Sequence, residues 1–314
     1  MPSARKKTIT ALAGGVGASK LLLGLHDVMD PRELTVIVNT GDDIVLHGLK
    51  ISPDLDIVTY TLAGIVDETK GWGYRGETFH ALKRLAAFGR ANWFNLGDRD
   101  FATHIHRSAM LAEGRSLSDV AEAIRLALGV KAQILPMCDQ PVPTKIDTAE
   151  GELHFQEYLV KRRAQPVVRG IRFDGVDKGR PSRGVLEAIG DADCILICPS
   201  NPLISIGPIL AVPGIREALR ARKESVIAVC PIVGGKSLKG PSDKMLAELG
   251  HEPSAFGVAK LYAGFTGTFV VDPTDKTQAG AIRELGMKVV VVPTVMKTRT
   301  QKRKLARSLL ALNS

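Results

Sequence analysis

The chain contains a series of short, continuously apolar segments rich in β-branched residues, and segments with the helical spacing of apolar residues lie between them. The strand candidates are 8–13, 34–38, 194–198, 225–230, 268–271 and 288–292. The helical pattern covers 18–29, 77–89, 118–128, 207–222, 276–286 and 300–312. Because a strand that is apolar throughout is suited to burial on both faces, these runs indicate a parallel sheet covered by helices. The alternation predicts an α/β fold with a Rossmann-like, doubly wound and mostly parallel sheet.

Two regions do not follow this alternation of strands and helices. The segment 60–135 has mostly helical patterns, and we expect a helical insertion over about 60–130. Polar and apolar residues alternate over 143–175, with a turn at Glu150 and Gly151, which predicts a small antiparallel β excursion. We find no repeat or clear linker, and we therefore expect residues 1–314 to form a single α/β domain.

Composition excludes several classes of protein. Hydrophobic residues make up 45% of the chain and charged residues 24%, which is typical of a globular protein and not of a disordered one. The chain has no run of about 18 apolar residues, so we expect no membrane span. The basic N-terminus leads into a glycine-broken loop, unlike a signal peptide, and we expect a cytoplasmic protein. The four cysteines show no CxxC spacing and are interpreted as buried free thiols, with a zinc site or redox pair as the alternative.

The chain is basic, with 42 Lys and Arg residues against 33 Asp and Glu residues and a formal net charge of +9. Such a balance suits phosphorylated substrates, nucleic acid or no particular partner. Aromatic residues make up only 5%, whereas a nucleic-acid binder would interleave them with basic residues, so we expect no nucleic-acid partner. We interpret the densest basic stretch as a solvated face of the last predicted helix. Its members are Lys297, Arg299, Lys302, Arg303, Lys304 and Arg307.

A glycine-rich turn connects the first predicted strand to the first predicted helix. It contains Gly14, Gly15 and Gly17, followed by Lys20. Glycine lets backbone N–H groups approach an anion closely, and a helix N-terminus adds positive potential. The turn lacks the GKS or GKT end of a P-loop, and Lys20 stands where the third glycine of a dinucleotide-binding fingerprint would be. We interpret it as a phosphate-binding loop, and a tight turn without a ligand is the alternative.

Acidic residues cluster in the two segments that follow. The polar residues of interest there are Asn39, Thr40, Asp42, Asp43, Asp54 and Asp56. An acid after the second strand of a Rossmann unit can hold a ribose hydroxyl, and adjacent carboxylates can bind Mg²⁺. A plain turn at 39–42 and a helix cap at Asp54 are the structural alternatives. Four carboxylates within 15 residues repel one another unless a cation compensates, so convergence of these turns would predict a metal-assisted site.

Two further segments carry side chains that suit ligand binding. Arg99 lies in a Gly-Asp-Arg-Asp run that could clamp a phosphate or carboxylate, or could form a self-paired helix cap. His104 is a weaker candidate for a general base. Asn201 and Ser205 follow the predicted strand 194–198, and ligands of open α/β sheets bind at the carboxyl ends of strands.

Taken together, these motifs resemble the 2-phospho-L-lactate transferase family of coenzyme F-420 biosynthesis over nearly the whole chain. The glycine loop alone is a weak signal, but the set in this order is specific. The motifs are AGGVGASKL (13–21), VNTGDD (38–43), SPDLDIVTYTLAG (52–64), WGYRGETF (72–79), LGDRDFATH (96–104), LPMCDQPV (135–142) and PSNPLISIGP (199–208).

The resemblance implies a phosphotransferase reaction. The ribityl hydroxyl of 7,8-didemethyl-8-hydroxy-5-deazariboflavin attacks the phosphate attached to a lactate-type group of a guanylylated diphosphate donor, and GMP leaves. The transferred group is 2-phospho-L-lactate or enolpyruvyl phosphate, and the sequence does not distinguish them. The resemblance also implies Mg²⁺ as cofactor and a homodimer.

The resemblance further implies roles for individual residues. Asp54, Asp56 and Arg99 would be catalytic, with Asp56 and Arg99 in contact with the deazaflavin. The metal ligands would be Asp42, Asp43 and Asp54, and the identity of the base stays open. The glycine loop and the 200–202 loop would hold the donor. The substrate-binding set, in addition to Asp56 and Arg99, is Gly14, Gly15, Gly17, Lys20, Asn39, Thr40, Ser200, Asn201, Pro202 and Ser205.

Three other classes compete with this interpretation. A YvcK-like nucleotide-sugar-binding regulator would share the fold and the glycine-rich first loop, but we expect it to lack the Pro-Asp-Leu-Asp and Leu-Gly-Asp-Arg-Asp combination. A nicotinamide-dependent oxidoreductase is disfavoured by Lys20 in place of the third glycine. A basic nucleic-acid binder is disfavoured by the low aromatic content.

Overall fold

A computed structural model describes residues 7–312. The strands in chain order are β1 Ile9–Ala13, β2 Leu34–Val38, β3 Ile44–Leu46, β4 Leu49–Ile51, β5 Gln133–Pro136, β6 Thr144–Thr148, β7 Gly151–His154, β8 Val168–Phe173, β9 Cys194–Ile197, β10 Val226–Val229, β11 Ile232–Val233, β12 Lys236–Ser237, β13 Thr268–Val271 and β14 Lys288–Val291. The α-helices are α1 Gly15–Val28, α2 Pro53–Leu62, α3 His80–Ala87, α4 Asp98–Ala112, α5 Leu117–Ala127, α6 Val185–Asp191, α7 Ile206–Ala211, α8 Ile215–Ala221, α9 Ser242–Glu248, α10 Ala255–Tyr262, α11 Ala279–Glu284 and α12 Arg299–Ala311.

The central sheet is parallel throughout, with the order β14-β13-β10-β9-β1-β2-β5 within residues 7–312. Six of its strands coincide with the continuous apolar runs of the sequence to within a residue or two. The edge strand β5 is a correction, because it lies at the end of the segment that we predicted to be mostly helical. It has only four residues and ends at Pro136, so its pattern is too short to stand out from the helices before it.

Helices cover both faces of this sheet, which confirms the doubly wound fold. One face packs against α1, α2, α5 and α12, through core residues such as Leu22, Val58 and Leu305. The other face packs against α6, α7, α8, α10 and α11. The central strands are buried on both sides, as their uninterrupted apolar composition requires.

The helix predicted over 207–222 is in fact two helices, α7 and α8. The break falls at Val212, Pro213 and Gly214. Gly214 has a φ of +93°, in the left-handed region that favours glycine, and Pro213 has no N–H to continue the helical hydrogen bonds. The sequence therefore contained the signal for this break.

The last helix, α12, packs along α1. A Cβ at Gly24 of α1 would lie 2.3 Å from the backbone oxygen of Lys302, so the two helices approach at a glycine. Arg299 and Arg303 both pair with Asp27 of α1, each through Nε at 2.7 Å. Lys302 is buried between the helices, so the prediction of a purely solvated basic face is wrong at this residue.

The predicted helical insertion and the predicted antiparallel β excursion are also present. Helices α3, α4 and α5 lie between α2 and β5, and strands β7-β6-β8 form a separate antiparallel sheet. That small sheet shares an apolar cluster with Ile204 and with Met245 of α9, which ties it to the rest of the described chain. The single-domain organisation stays a prediction that this packing supports.

The four cysteines are buried and free, as predicted. Burial raises the pKa of Cys198 and of Cys230 to about 12, which keeps both thiols protonated at neutral pH. Among the helices of residues 7–312, none is both long enough and apolar enough to cross a membrane.

Candidate active site

A cavity of about 530 Å³ opens at the carboxyl ends of the central strands. Strand β1 lies between β9 and β2, so the chain leaves β1 toward one side of the sheet and later returns to the other. This reversal of strand order creates the crevice in which doubly wound folds bind ligands. The cavity wall begins at Gly14, directly after β1, and includes Ser200 after β9 and Cys230 after β10.

The glycine-rich turn forms one edge of the cavity. Neighbouring protein atoms approach its backbone too closely to leave room for a side chain. A Cβ at Gly14 would lie 2.7 Å from Asp54 Oδ2, and one at Gly17 would lie 2.3 Å from the backbone oxygen of Pro199. Gly15 has a φ of +68°. Ser200 Oγ donates to the Gly14 carbonyl at 2.8 Å, which fixes the loop after β9 against the turn. The turn and the 200–202 loop, both predicted to hold a ligand, therefore meet.

The acids after β2 and at the start of α2 converge in the way that the metal-site hypothesis requires. Asn39 Nδ2 donates to Asp42 Oδ1 at 3.0 Å and to Asp54 Oδ2 at 2.9 Å. Both carboxylates line the cavity. Burial raises the pKa of Asp42 well above its ordinary value, and the charge of Asp54 raises it further. Burial likewise raises the pKa of Asp54, against hydrogen bonds from Asn39 and from the Gly15 backbone.

Asp43 is in a different position from its neighbour. Its Oδ2 accepts from Ser52 Oγ at 2.9 Å and lies 3.1 Å from Lys50 Nζ, and Asp43 is absent from the cavity wall. Its Oδ1 is buried without a hydrogen-bond partner among the described residues. The geometry thus favours Asp42 and Asp54 as metal ligands and gives Asp43 a partner of its own.

The carboxylates of Asp42 and Asp54 are the candidate ligands for a divalent cation. Within residues 7–312, no group of three or more His, Cys, Asp or Glu side chains is placed to hold a metal ion. Mg²⁺, however, commonly uses one or two carboxylates and completes its shell with water and substrate phosphates. Asp42 and Asp54 are two buried carboxylates that share one amide donor, and neither forms a salt bridge with a described residue. They fit such an ion.

Asp56 lines the cavity and is held from behind by Arg107 of α4. Arg107 Nη1 lies 3.1 Å from Asp56 Oδ2, and Nη2 binds Oδ1. Arg107 Nη1 also lies 3.1 Å from Nδ1 of His104, a second residue of the cavity wall. Burial, with the charge of Arg107, lowers the pKa of His104 to about 3, so the imidazole is neutral at pH 7. Nδ1 accepts from Arg107, which leaves Nε2 as a donor and argues against His104 as a base.

Asp100, on the first turn of α4, is a buried carboxylate outside the predicted set of site residues. It lines the cavity and forms no salt bridge with a described residue. Burial raises its pKa to about 7, and the charges of Asp56 and Glu77 raise it as well. A carboxyl group with this pKa exchanges protons at neutral pH.

Some predicted residues lie outside the cavity wall. Arg99 is exposed, and its Nη1 donates to the Arg75 carbonyl at 3.0 Å. Thr40 and Pro202 are buried behind the wall. Asn201 and Ser205 are part of it.

Several residues in or behind the wall carry no role in the sequence-based assignment. Asp100, in the wall, and Arg107, behind it, lie on the same helix as His104, at spacings that place all three near one face, and this spacing was the available signal. Lys239, Trp72 and Phe94 reach the cavity from separate loops. Trp72 begins the family motif 72–79, whereas nothing in the local sequence of Lys239 or Phe94 pointed to the cavity.

Comparisons with known proteins agree with this picture. The family model described as "2-phospho-L-lactate transferase CofD" matches residues 9–307. A phosphoenolpyruvate transferase of Streptomyces coelicolor is 45% identical over 312 residues and covers 97% of each chain. A 2-phospho-L-lactate transferase of Methanosarcina mazei is 42% identical, covering 94% of this chain and 96% of the relative. A crystal structure of a UPF0052 family member from Bacillus halodurans covers 98% of this chain and 100% of that chain, with a TM-score of 0.66 and 19% identity, and shows a likeness of fold.

Proposed function

Because the chain belongs to the 2-phospho-L-lactate transferase CofD family, we propose that it makes a phosphodiester between a deazaflavin and a three-carbon acid. The acceptor is the ribityl hydroxyl of 7,8-didemethyl-8-hydroxy-5-deazariboflavin. The donor is a guanylylated diphosphate that carries 2-phospho-L-lactate or enolpyruvyl phosphate. The observation that carries this proposal is the junction of the glycine turn, the 200–202 loop and the Asp42–Asp54 pair in one cavity.

The donor would lie against the glycine turn. Gly14 and Gly17 let the turn pack closely against Asp54 and Pro199, and the N-terminus of α1 favours negative charge beside them. Asn201 and Ser205 offer polar groups from the opposite edge. Asp42 and Asp54 would hold Mg²⁺, which when bound would neutralise charge on the diphosphate.

The transfer itself needs positioning and one proton acceptor. The hydroxyl oxygen forms a bond to the phosphorus that carries the three-carbon group, and the bond from that phosphorus to the GMP oxygen breaks. We assign the hydroxyl proton to the carboxylate of Asp100, which lines the cavity and has a pKa of about 7. GMP leaves with the bridging oxygen, so atoms and charge balance.

In this proposal Asp56 does not act as the base. Both of its oxygens bind Arg107, so it is engaged before any ligand arrives. We propose that Asp56 positions the acceptor by its place in the wall. The planar deazaflavin would lie against the apolar side chains of Trp72, Phe94 and Phe155, which also line the cavity. We still predict that Arg99 contacts the deazaflavin. For this contact its side chain must release the Arg75 carbonyl.

The decisive experiment mixes the purified protein with the deazaflavin, a guanylylated donor and Mg²⁺, and measures GMP release and the mass of the product. Competition between phospholactate and enolpyruvyl donors in one vessel assigns the three-carbon group, since the named relatives include both kinds of transferase. No turnover with either donor, together with tight binding of a UDP-sugar, would favour the regulatory alternative instead. Sedimentation of the same sample tests the expected homodimer.

A further inference from the structure

Glu77 caps helix α4 from the segment that precedes α3. Its Oε1 accepts a hydrogen bond from the Arg99 N–H at 3.0 Å, and its Oε2 accepts one from the Asp100 N–H at 3.3 Å. Both N–H groups lie in the first turn of α4, where the helix itself supplies no acceptor. The residue before the helix is Gly97, which has no side chain to act as a cap, and a Cβ there would overlap the side chain of Glu77. Glu77 therefore replaces a missing local cap.

The carboxylate of Glu77 binds backbone groups only. Its third hydrogen bond comes from the Thr78 N–H at 3.0 Å, and it forms no salt bridge with another residue of the described range 7–312. Its negative charge is thus not offset by a paired cation. The positive potential of a helix N-terminus favours an acidic side chain in this position. The same charge, however, lies beside Asp100, whose N–H it holds.

The titratable groups that face Asp100 come from α2, from the segment before α3 and from α4 itself. Burial raises the pKa of Asp100, and the charge of Asp56 on α2 raises it further. The charge of Glu77 acts in the same direction, whereas the nearby hydroxyl of Tyr60, also on α2, lowers this pKa. His104, one turn further along α4, is neutral at pH 7 and adds no charge. Asp56 is already held in a salt bridge, so of the two neighbouring acids only Glu77 lacks a cationic partner in the described part of the chain.

We propose that Glu77 is a positioning residue for the transfer, which fixes the first turn of α4 so that the Asp100 carboxyl group lies in the cavity wall where the acceptor hydroxyl reacts. The unpaired charge of Glu77 also holds the proton on Asp100 to higher pH, and so helps to set the pH at which Asp100 becomes a base. This inference rests on the proposed function, because it takes Asp100 as the proton acceptor. It gives a role to a residue of the motif 72–79 to which the family resemblance assigned none.

The first test follows the titration of Asp100 itself and needs no substrate. The full chain, labelled with a carbon isotope at its aspartate carboxyl groups, gives an NMR signal for Asp100 that is assigned by its loss in Asp100→Asn. We expect Glu77→Gln to move the midpoint of this titration to lower pH by about half a unit or more, because the variant removes a like charge. The new amide keeps an oxygen that can accept from the Arg99 N–H, so the variant should stay folded.

Asp98→Asn is the matched control. It removes an acidic charge from the same turn of α4, but Asp98 faces α3, where its Oδ2 accepts from the His80 N–H at 3.0 Å and its Oδ1 from the Ala81 N–H at 2.9 Å. Loss of this cap should lower stability, whereas the Asp100 midpoint should stay within about 0.2 pH units of the parent's. A residue with a merely structural role would behave like Asp98 in this measurement.

Glu77→Asp separates position from charge. The shorter side chain keeps its negative charge but does not reach both N–H groups of α4, so single-turnover transfer should slow by about tenfold or more while the Asp100 midpoint stays near that of the parent. In Glu77→Gln the rise of the transfer rate with pH should instead move to lower pH together with the NMR midpoint. An unmoved midpoint in Glu77→Gln, or an unchanged rate in Glu77→Asp, would overturn the inference. A parent that transfers nothing, while the midpoint moves as expected in Glu77→Gln, would contradict the proposed function and leave the link between Glu77 and Asp100 intact.

Discussion

Arg107 and Asp56 form a buried, two-point ion pair between α4 and α2, with Nη1 of the arginine 3.1 Å from Oδ2 of the aspartate. Their side chains are 2% and 8% exposed. Asp56 faces the cavity, and Arg107 lies behind it. The pair therefore links the helical insertion to the wall of the proposed active site.

Removing one partner of this pair should be costly. We expect Arg107→Met to lower the free energy of unfolding by about 3–5 kcal/mol, because it leaves the Asp56 charge buried without its partner. Urea denaturation measures this change. Arg99→Met is the control, since it removes the same charge from an exposed site on the same helix and should change stability by less than about 0.5 kcal/mol. If Asp56→Asn in the Arg107→Met background restores no stability, the pair is not coupled as described.

Asp54→Asn should abolish the response of the protein to Mg²⁺. In the parent, we expect Mg²⁺ to raise Tm because the ion binds the native carboxylates. Without the ion the variant should be more stable than the parent, since it removes the cost of burying the Asp54 charge beside Asp42. Calorimetry with and without Mg²⁺ measures both effects. Asp147→Asn, on the exposed face of the small sheet, should respond to Mg²⁺ as the parent does; an equal response of Asp54→Asn would contradict the assignment.

Asp100→Asn should slow transfer by about 10²–10⁴-fold if Asp100 accepts the proton. In the parent, the rate should rise with pH through about 7, as the carboxyl group deprotonates. The variant should lack this rise. Rates measured from pH 5.5 to 8.5 in single turnover provide the comparison. A variant that keeps both the rate and the pH profile of the parent would remove Asp100 from the mechanism.

The same substitution has an opposite expected effect on stability. The pKa of Asp100 is raised in the folded protein, so folding favours its neutral form, and the native state loses stability as pH rises through about 7. Asp100→Asn should therefore be more stable than the parent at pH 8.5, and the difference should shrink toward pH 5. Urea denaturation at the two pH values measures the difference.

Asp27 should make the packing of α12 against α1 depend on pH. Hydrogen bonds from Arg299, opposed by burial and aided by Arg303, lower its pKa to about 2. A lowered pKa contributes stability above the unfolded value of 3.8, and this contribution is lost as pH falls through about 2. Asp27→Asn should cost about 1–2 kcal/mol at pH 7 and much less at pH 2. A loss that is the same at both pH values would contradict this origin.

Gly24→Ala should destabilise the contact between α1 and α12. The added Cβ would lie 2.3 Å from the backbone oxygen of Lys302, so the helices must separate, at a cost of about 1–3 kcal/mol. Gly190→Ala is a matched control in α6, where a Cβ would meet nothing within 4 Å and the higher helix propensity of alanine should be neutral or favourable. Thermal unfolding of the two variants tests the contrast.

Local pattern predicted the framework of this protein well. The runs 34–38 and 268–271 are strands with those same bounds, because continuous β-branched sequence has few other stable conformations in a chain of this kind. Edge strand β5 and the break between α7 and α8 were missed. Strand β5 has only four residues and follows a helical region, so its sequence shows too little periodicity to be recognised. The apolar spacing on both sides of Pro213 and Gly214 is helical, and it masked the helix break that these two residues impose on the backbone.

The sequence by itself determined most of the strands and helices along the chain, the glycine turn and the family, because these depend on residues that are neighbours in the chain. Only the tertiary structure decided which acids share a site. Asn39 brings Asp42 and Asp54 together, while Asp43, adjacent to Asp42, faces Lys50. Asp100, Arg107 and Lys239 also acquire their surroundings through contacts with segments distant in sequence. Burial and the charge of spatial neighbours set the pKa and reach of such groups, and neither is encoded in local spacing.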